Sequence, residues 1–216
     1  SKAKRSLGRP TALNAAIRAL GPDTGDTFSP AARAPGGEAT AQATPWTSAP
    51  PTDVTRDQRW SRGAEGTGED TLVACRFGAA RVQGFQGENL AAQDAMLATA
   101  KHYVAYGASL AGLDYNTVDI APQTLRDVHL PPFQAAVNAG VASVMSSFND
   151  INGVPASANK PLLVDVLRGE WQFNGITISD YTSEMELVAH GYAEGMKAAV
   201  LKAFRAGVDL RLQGGL

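Results

Sequence analysis

The chain has 216 residues, 44% of them hydrophobic, which is enough apolar material for one domain of ordinary size and too much for a chain disordered throughout. Its 19 Lys plus Arg against 21 Asp plus Glu leave a net charge of -2. No block of like charge accompanies that balance, so the electrostatic footprint of a nucleic-acid binder is excluded.

A single cysteine, Cys75, excludes an internal disulfide and any multi-cysteine metal site; it reads as a small apolar helix residue. No stretch approaches the roughly 18 to 20 apolar residues of a bilayer span, and no apolar core follows Lys2, Lys4 and Arg5 as in a signal peptide. A soluble chain without a membrane partner is expected, and the cytoplasm and the periplasm are both compatible with it.

In chain order, Pro10, Pro22, Pro30, Pro35, Pro45, Pro50 and Pro51 crowd the first quarter, so residues 1–52 read as an irregular segment. Within it only residues 11–20 predict a helix, with Thr11 as N-cap, Leu13, Ile17 and Leu20 at helical spacing, and Gly21-Pro22 as the stop. From Asp53 onward, short apolar runs alternate with amphipathic helices. Residues 71–85 predict a helix burying Leu72, Cys75, Ala79 and Val82, and residues 96–104 a strand. A helix over 122–138 must be kinked or split by Pro131-Pro132 before Gly140 closes it. A strand over 141–146, a helix over 159–168 capped by Asn159 and a strand over 175–179 follow. Helices over 183–189 and 192–206 and a strand over 207–212 complete the pattern.

Strands and helices in alternation with short glycine-bearing links predict parallel βα units and an α/β fold. The strand-like units near residues 98, 143, 177 and 209 are too few for a closed (β/α)8 barrel, which needs eight. A partial TIM-type barrel over residues 53–216 is the expected fold.

Chemistry in such folds collects at the C-terminal ends of the strands. Lys101 and His102 fall at the end of one predicted strand, Met145 and then Phe148 at the next, Ser179-Asp180 at the third, and Asp209 in the last. Asp180 follows the β-branched run Ile176-Thr177-Ile178 and precedes a helix, so it is either an N-terminal helix acid or a reactive carboxylate delivered to the rim. The cluster from Thr55 to Arg62, with Glu65, Glu69 and Asp70, reads as a salt-bridged loop or as a donor set for sugar hydroxyls. Trp60 is either a wall of that site or core. His102, His129 and His190 lie far apart with no paired helical spacing, so no metal or other cofactor is expected. His129 is expected on a helix surface and His190 at a helix C-terminus.

These residues fall into motifs that resemble the N-terminal barrel domain of glycoside hydrolase family 3, the β-glucosidase type. Arg56-Asp57-Gln58-Arg59-Trp60-Ser61-Arg62 with Gly68-Glu69-Asp70 is similar to the family's R-D-P-R-W-G-R and G-E-D-P. Ala100-Lys101-His102-Tyr103 with Tyr106-Gly107 resembles K-H-F-A-A-Y-G. Asp114-Tyr115-Asn116-Thr117 and Leu130-Pro131-Pro132-Phe133 resemble its next two signatures. Val144-Met145-Ser146-Ser147-Phe148-Asn149 with Asn152-Gly153-Val154-Pro155 is similar to V-M-S-S-F-N and N-G-V-P. Ile178-Ser179-Asp180-Tyr181 resembles the nucleophile signature V-S-D-Y, and Ala206-Gly207-Val208-Asp209 resembles A-G-V-D. Gln58 and Ser61 stand where the family has Pro and Gly, and Thr71 where it has Pro.

The resemblance implies that Asp180 is the catalytic nucleophile. It implies that Arg62, Lys101 and His102 hold the sugar, that Met145 and Phe148 line its subsite, and that cations such as Lys101 keep Asp180 ionised. It implies a retaining β-glycosidase acting on a β-glucoside or small oligosaccharide through a covalent glycosyl-enzyme intermediate. In the family a glutamate acid/base belongs to a second domain, and the first strands include one ending in a sugar-gripping aspartate; neither has a match in the motifs above. Glu184, Glu186 and Asp209 are local candidates for the acid. A sugar-binding remnant without general-acid catalysis is the alternative. Open strand edges predict a homo-oligomer, unless residues 1–50 wrap them.

Overall fold

The computed structural model describes residues 45–212; the helix expected over residues 11–20 lies outside them. Its centre is a parallel sheet of β1 (Thr99–Tyr103), β2 (Ser143–Ser146), β5 (Ile176–Tyr181) and β6 (Leu210–Leu212), in the order β1-β2-β5-β6. The remaining strands, β3 (Asp150–Ile151) and β4 (Val154–Pro155), form a short antiparallel hairpin beyond β2. Register pairs Thr99 with Ser143, Val144 with Thr177, and Ile178 with Leu210, so the C-terminal ends of the four strands share one rim. The α/β architecture is the expected one, and among the described residues the sheet stays open.

The first of the described residues differ from the sequence reading. Residues 45–51, assigned to the irregular segment, run parallel to β1, with bridges Trp46 to Leu97 and Pro51 to Lys101. Leu97 N donates to Pro45 O at 2.8 Å, Thr99 N to Ala49 O at 2.7 Å and Lys101 N to Pro50 O at 3.1 Å. Among the described residues this segment is an edge, and Pro45 and Pro50 serve as acceptors there, where a missing N–H costs nothing.

Helix α1 (Thr71–Gln86) starts at Asp70, whose side chain accepts from Val73 N at 2.8 Å. It packs mainly on α3 (Pro131–Asn138). Its buried face carries Ala74, Phe77, Gly78, Ala80, Arg81 and Val82, whereas Leu72 is 59% exposed and Cys75 and Ala79 are half-buried. Of the expected face only Val82 is fully buried, so the buried side is rotated from the expected one. Small residues line the contact: a Cβ on Gly78 would come within 3.1 Å of the Thr52 side chain. Hydropathy underrates residues chosen for close approach.

The predicted break at the proline pair is present. A single turn α2 (Pro122–Thr124) runs into a π-helical segment Leu125–His129, closed by Leu130 N to Leu125 O at 3.0 Å, before α3 begins at Pro131. His129 is buried at 6%, not on the surface as expected. A π-helical segment Pro161–Glu170, then α4 (Ser183–Ala189) and α5 (Met196–Ala206), cover the sheet further on. Tyr103 is fully buried under them, edge-on to Phe133 and Trp171, with its hydroxyl donating to Leu162 O at 2.9 Å. No helix among the described residues is long and apolar enough to cross a membrane.

Asp209 lies at the strand end opposite the rim. It precedes β6, accepts from Thr177 N at 2.7 Å and from Arg168 Nη2 at 2.6 Å, and its own N–H donates to Thr177 O. The sequence grouped it with rim residues; the register makes it a clamp on the start of β5.

Candidate active site

β1 delivers Lys101 and His102 to the rim together. Adjacent residues of a regular strand face opposite sides of a sheet, but the pairing of β1 with β2 is irregular between Ala100 and Tyr103. His102 is 1% exposed. Its Nδ1 lies 2.8 Å from Asp53 Oδ2, which also accepts the His102 backbone N–H at 3.1 Å. On the other side of the ring, Nε2 lies 2.8 Å from Arg62 Nη2 and 3.5 Å from Asp180 Oδ2.

Asp180 lies near the end of β5, where Thr177, Ile178 and Ser179 before it are buried, Ile176 is exposed against expectation, and the carboxylate is 14% exposed. Its Oδ1 accepts from Tyr181 N at 2.7 Å, while Oδ2 is buried and accepts no hydrogen bond from the described residues. A pure helix-cap role is not seen, because α4 shows no side-chain cap. Arg62, Lys101, His102 and Asp180, named separately from sequence, thus meet at one place.

Charge is concentrated here. Arg62 forks onto Glu65, with Nε to Oε1 and Nη2 to Oε2 both at 2.9 Å. Burial opposes its charge, but Glu65 and then Asp53 outweigh that and push its pKa up. The Glu65 carboxyl is likewise opposed by burial, and Arg62, followed by Lys101, brings it below its usual value. Burial, followed by the Arg62 charge, pulls the Lys101 ammonium down, against the support of Glu65, Asp180 and Asp53. The salt bridge expected of this loop is therefore present, and the guanidinium in that bridge also reaches His102.

An aromatic wall adjoins the charges. Tyr106 stacks edge-on to Trp60 at 5.1 Å and to His102 at 5.4 Å, and tilts against Phe148 at 5.7 Å. Tyr115, 46% exposed, stacks edge-on to Phe148 at 4.7 Å. Trp60 is 4% exposed and Phe148 7%, so Trp60 belongs to the core, clustered with Tyr106 and Phe148. Met145, 2% exposed, sits in β2 in register with Ile178, two residues before Asp180. Gly107 lets this loop lie on the Asp53 segment: a Cβ there would fall 2.5 Å from Val54 O.

Sequence reasoning missed Asp53, Tyr106 and Tyr115 as site neighbours. The signal for Asp53 was thin: a lone acid just after Pro50-Pro51 and just before the arginine cluster. A cavity of about 500 Å³ opens between Thr55, Trp60 and Gly68, and the residues lining it do not include Asp180, Lys101 or His102. Among the described residues no group of three or more His, Cys, Asp or Glu is placed to hold a metal ion.

The rim thus holds a carboxylate flanked by histidine, lysine and arginine beside an aromatic cluster. Over 164 residues the chain is 44% identical to a periplasmic β-glucosidase of Salmonella typhimurium, covering 76% of this chain and 21% of that protein. Over 160 residues it is 41% identical to a β-xylosidase of Formosa agariphila, covering 72% and 22%. The fold matches a β-glucosidase from Listeria innocua solved with laminaribiose, with a TM-score of 0.85 and 40% identity over 94% of this chain and 28% of that one. The same Listeria enzyme has been solved with glucose. The chain thus spans about a fifth to a quarter of the relatives it matches. The family model for the glycosyl hydrolase family 3 N-terminal domain matches residues 10–214, which extends the likeness into the segment that the sequence reading left unmatched. Rim, wall and these matches together make the chain a member of glycosyl hydrolase family 3, within its N-terminal domain.

Proposed function

We propose that this chain carries the nucleophile and sugar-binding half of a retaining β-glycosidase that removes terminal β-D-glucosyl residues. The observation that carries the reading is Asp180 Oδ2, buried without a hydrogen-bond donor from the described residues and 3.5 Å from His102 Nε2. An oxygen held so keeps a lone pair for the anomeric carbon. Attack forms the bond from carboxylate oxygen to C1 and breaks the bond from C1 to the glycosidic oxygen, which leaves as an alcohol once protonated. Water then cleaves the ester-like intermediate with retention. Arg62 and Lys101 bind the sugar hydroxyls, and Tyr115 and Phe148 offer faces to the ring.

The proton for the leaving group comes from a second carboxyl about 5 to 5.5 Å from the first. Among the local candidates, Asp209 is committed to Arg168 at the far end of the sheet, and Glu184 is fully buried beside Arg211. Burial pushes the half-buried Glu186 carboxyl up, the direction a general acid requires.

The test is intact mass after incubation with a 2-deoxy-2-fluoro-β-glucosyl fluoride. One fluoroglycosyl unit is expected on the protein, mapped to the Asp180 peptide, and none on Asp180→Asn, whose hydrolysis of p-nitrophenyl glucoside falls by several orders of magnitude with an unchanged melting temperature. An adduct elsewhere, or wild-type turnover by Asp180→Asn, overturns the assignment. Loss of cellobiose hydrolysis alone, with the aryl glycoside still cleaved, reads as absence of the acid, worth about 10²- to 10⁴-fold.

A further inference from the structure

Asp53 is a buried carboxylate that spends all its hydrogen bonds on one residue. It is 3% exposed, its Oδ2 accepts both the backbone N–H and the ring of His102, and its Oδ1 accepts nothing from the described residues. A carboxylate in that setting is acceptor-only, so Nδ1 must carry the proton of the 2.8 Å contact. The opposite nitrogen then has a lone pair. Arg62 Nη2 is donor-only and lies 2.8 Å from Nε2, so it requires the same arrangement. Two independent partners on opposite sides of the ring agree on one tautomer.

Asp180 gives that tautomer a consequence. Its Oδ2 is 3.5 Å from His102 Nε2, and a proton on Nε2 would turn a donor toward the carboxylate. A hydrogen bond stabilises a carboxylate in the ground state and has to weaken as the oxygen attacks carbon, which raises the barrier. We infer that Asp53 is a positioning residue for the reaction: it holds the proton of His102 on Nδ1 and keeps the face of the ring turned to Asp180 free of a donor. The tautomer itself is independent of the catalytic reading, whereas its effect on rate rests on Asp180 being the nucleophile.

The experiment is a long-range 1H-15N spectrum of the protein labelled with 15N-histidine, with His129 and His190 signals removed one at a time by His→Gln substitution. The expected pattern for His102 is a pyrrole-type Nδ1 and a pyridine-type Nε2. Asp53→Ala should mix the tautomers and lower kcat for p-nitrophenyl glucoside by about 100-fold, the upper range for loss of a carboxylate behind a functional histidine. Asp53→Asn should restore the single tautomer and most of the rate, because its amide oxygen can accept both bonds that Oδ2 accepts. Protonation of Nε2 in the wild-type protein overturns the inference even if Asp53→Ala does not fold. So does an unaltered His102 pattern in Asp53→Ala. The expected pattern together with no fluoroglycosyl adduct on Asp180 leaves the tautomer set by Asp53 standing and removes the catalytic reading, and with it the effect on rate.

Discussion

His129 couples the protein's stability to acid through its burial. Burial outweighs the attraction of Asp53 and, with Arg56, takes its pKa from 6.5 to about 4. The folded state thus refuses a proton that the unfolded chain accepts below pH 6.5. Stability from this residue is fully present above that value and is lost as pH falls toward 4, by about 1.4 kcal/mol per pH unit and roughly 3 kcal/mol in all. Urea melts at pH 7.5 and pH 4.5 should show the loss, and His129→Gln should flatten it. An equally steep loss in the variant would assign it to other groups. A sequence places His129 between Val128 and Leu130 and no more; burial comes from the turn into the proline-led helix that follows.

Gln86 shows how an element is fixed in place. At the end of α1 its amide donates to Gly140 O at 2.8 Å and accepts from Ala98 N at 3.2 Å and Ala142 N at 2.8 Å. One side chain ties the helix to the approaches of both β1 and β2, and so pins their register. Gln86→Ala leaves the buried Ala98 N–H without a partner and removes the bonds to half-buried Ala142 and exposed Gly140, and should cost about 2 kcal/mol by urea denaturation. Gln83→Ala, exposed on the same helix, should stay within about 0.5 kcal/mol. Equal effects would mean that the amide network adds nothing to the packing of α1 on α3. Of the residues of α1 that a hydropathy pattern selects only Val82 is fully buried, because the buried face also carries Ala74, Gly78 and Ala80, whose small size, not their apolarity, lets neighbouring segments approach.

At the scale of the molecule, the two edges of the sheet are treated differently. Residues 45–51 cover β1, whereas β6 has β5 as its one neighbour among the described residues. Leu210 in β6 is 40% exposed, and Leu201 and Phe204 on α5, the helix before it in the chain, are 48% and 46% exposed. Unpaired strand groups next to apolar side chains favour association. Light scattering should accordingly give a mass above the 22.6 kDa of one chain, falling on substitution of Leu201 and Phe204 by Glu. A 22.6 kDa species with a cooperative melt would show that the edge is protected within one chain. The segment expected to wrap an exposed edge does so, in its described part, at β1 and not at β6.

By itself the sequence determined what is written within a few adjacent residues. It placed a carboxylate at Asp180 after a β-branched run, paired Lys101 with His102, broke the helix at Pro131 and set βα units in order, because local sterics and short motifs decide these. Only the tertiary structure decided which nitrogen of His102 faces Asp180, since that depends on Asp53, 49 positions away in the chain. It also moved Asp209 to the opposite end of the sheet, put His129 in the interior and made a strand partner of the proline-rich segment. Each of those is a pairing between distant stretches, fixed by strand register and by the burial of polar groups that need partners, and no local pattern carries that information.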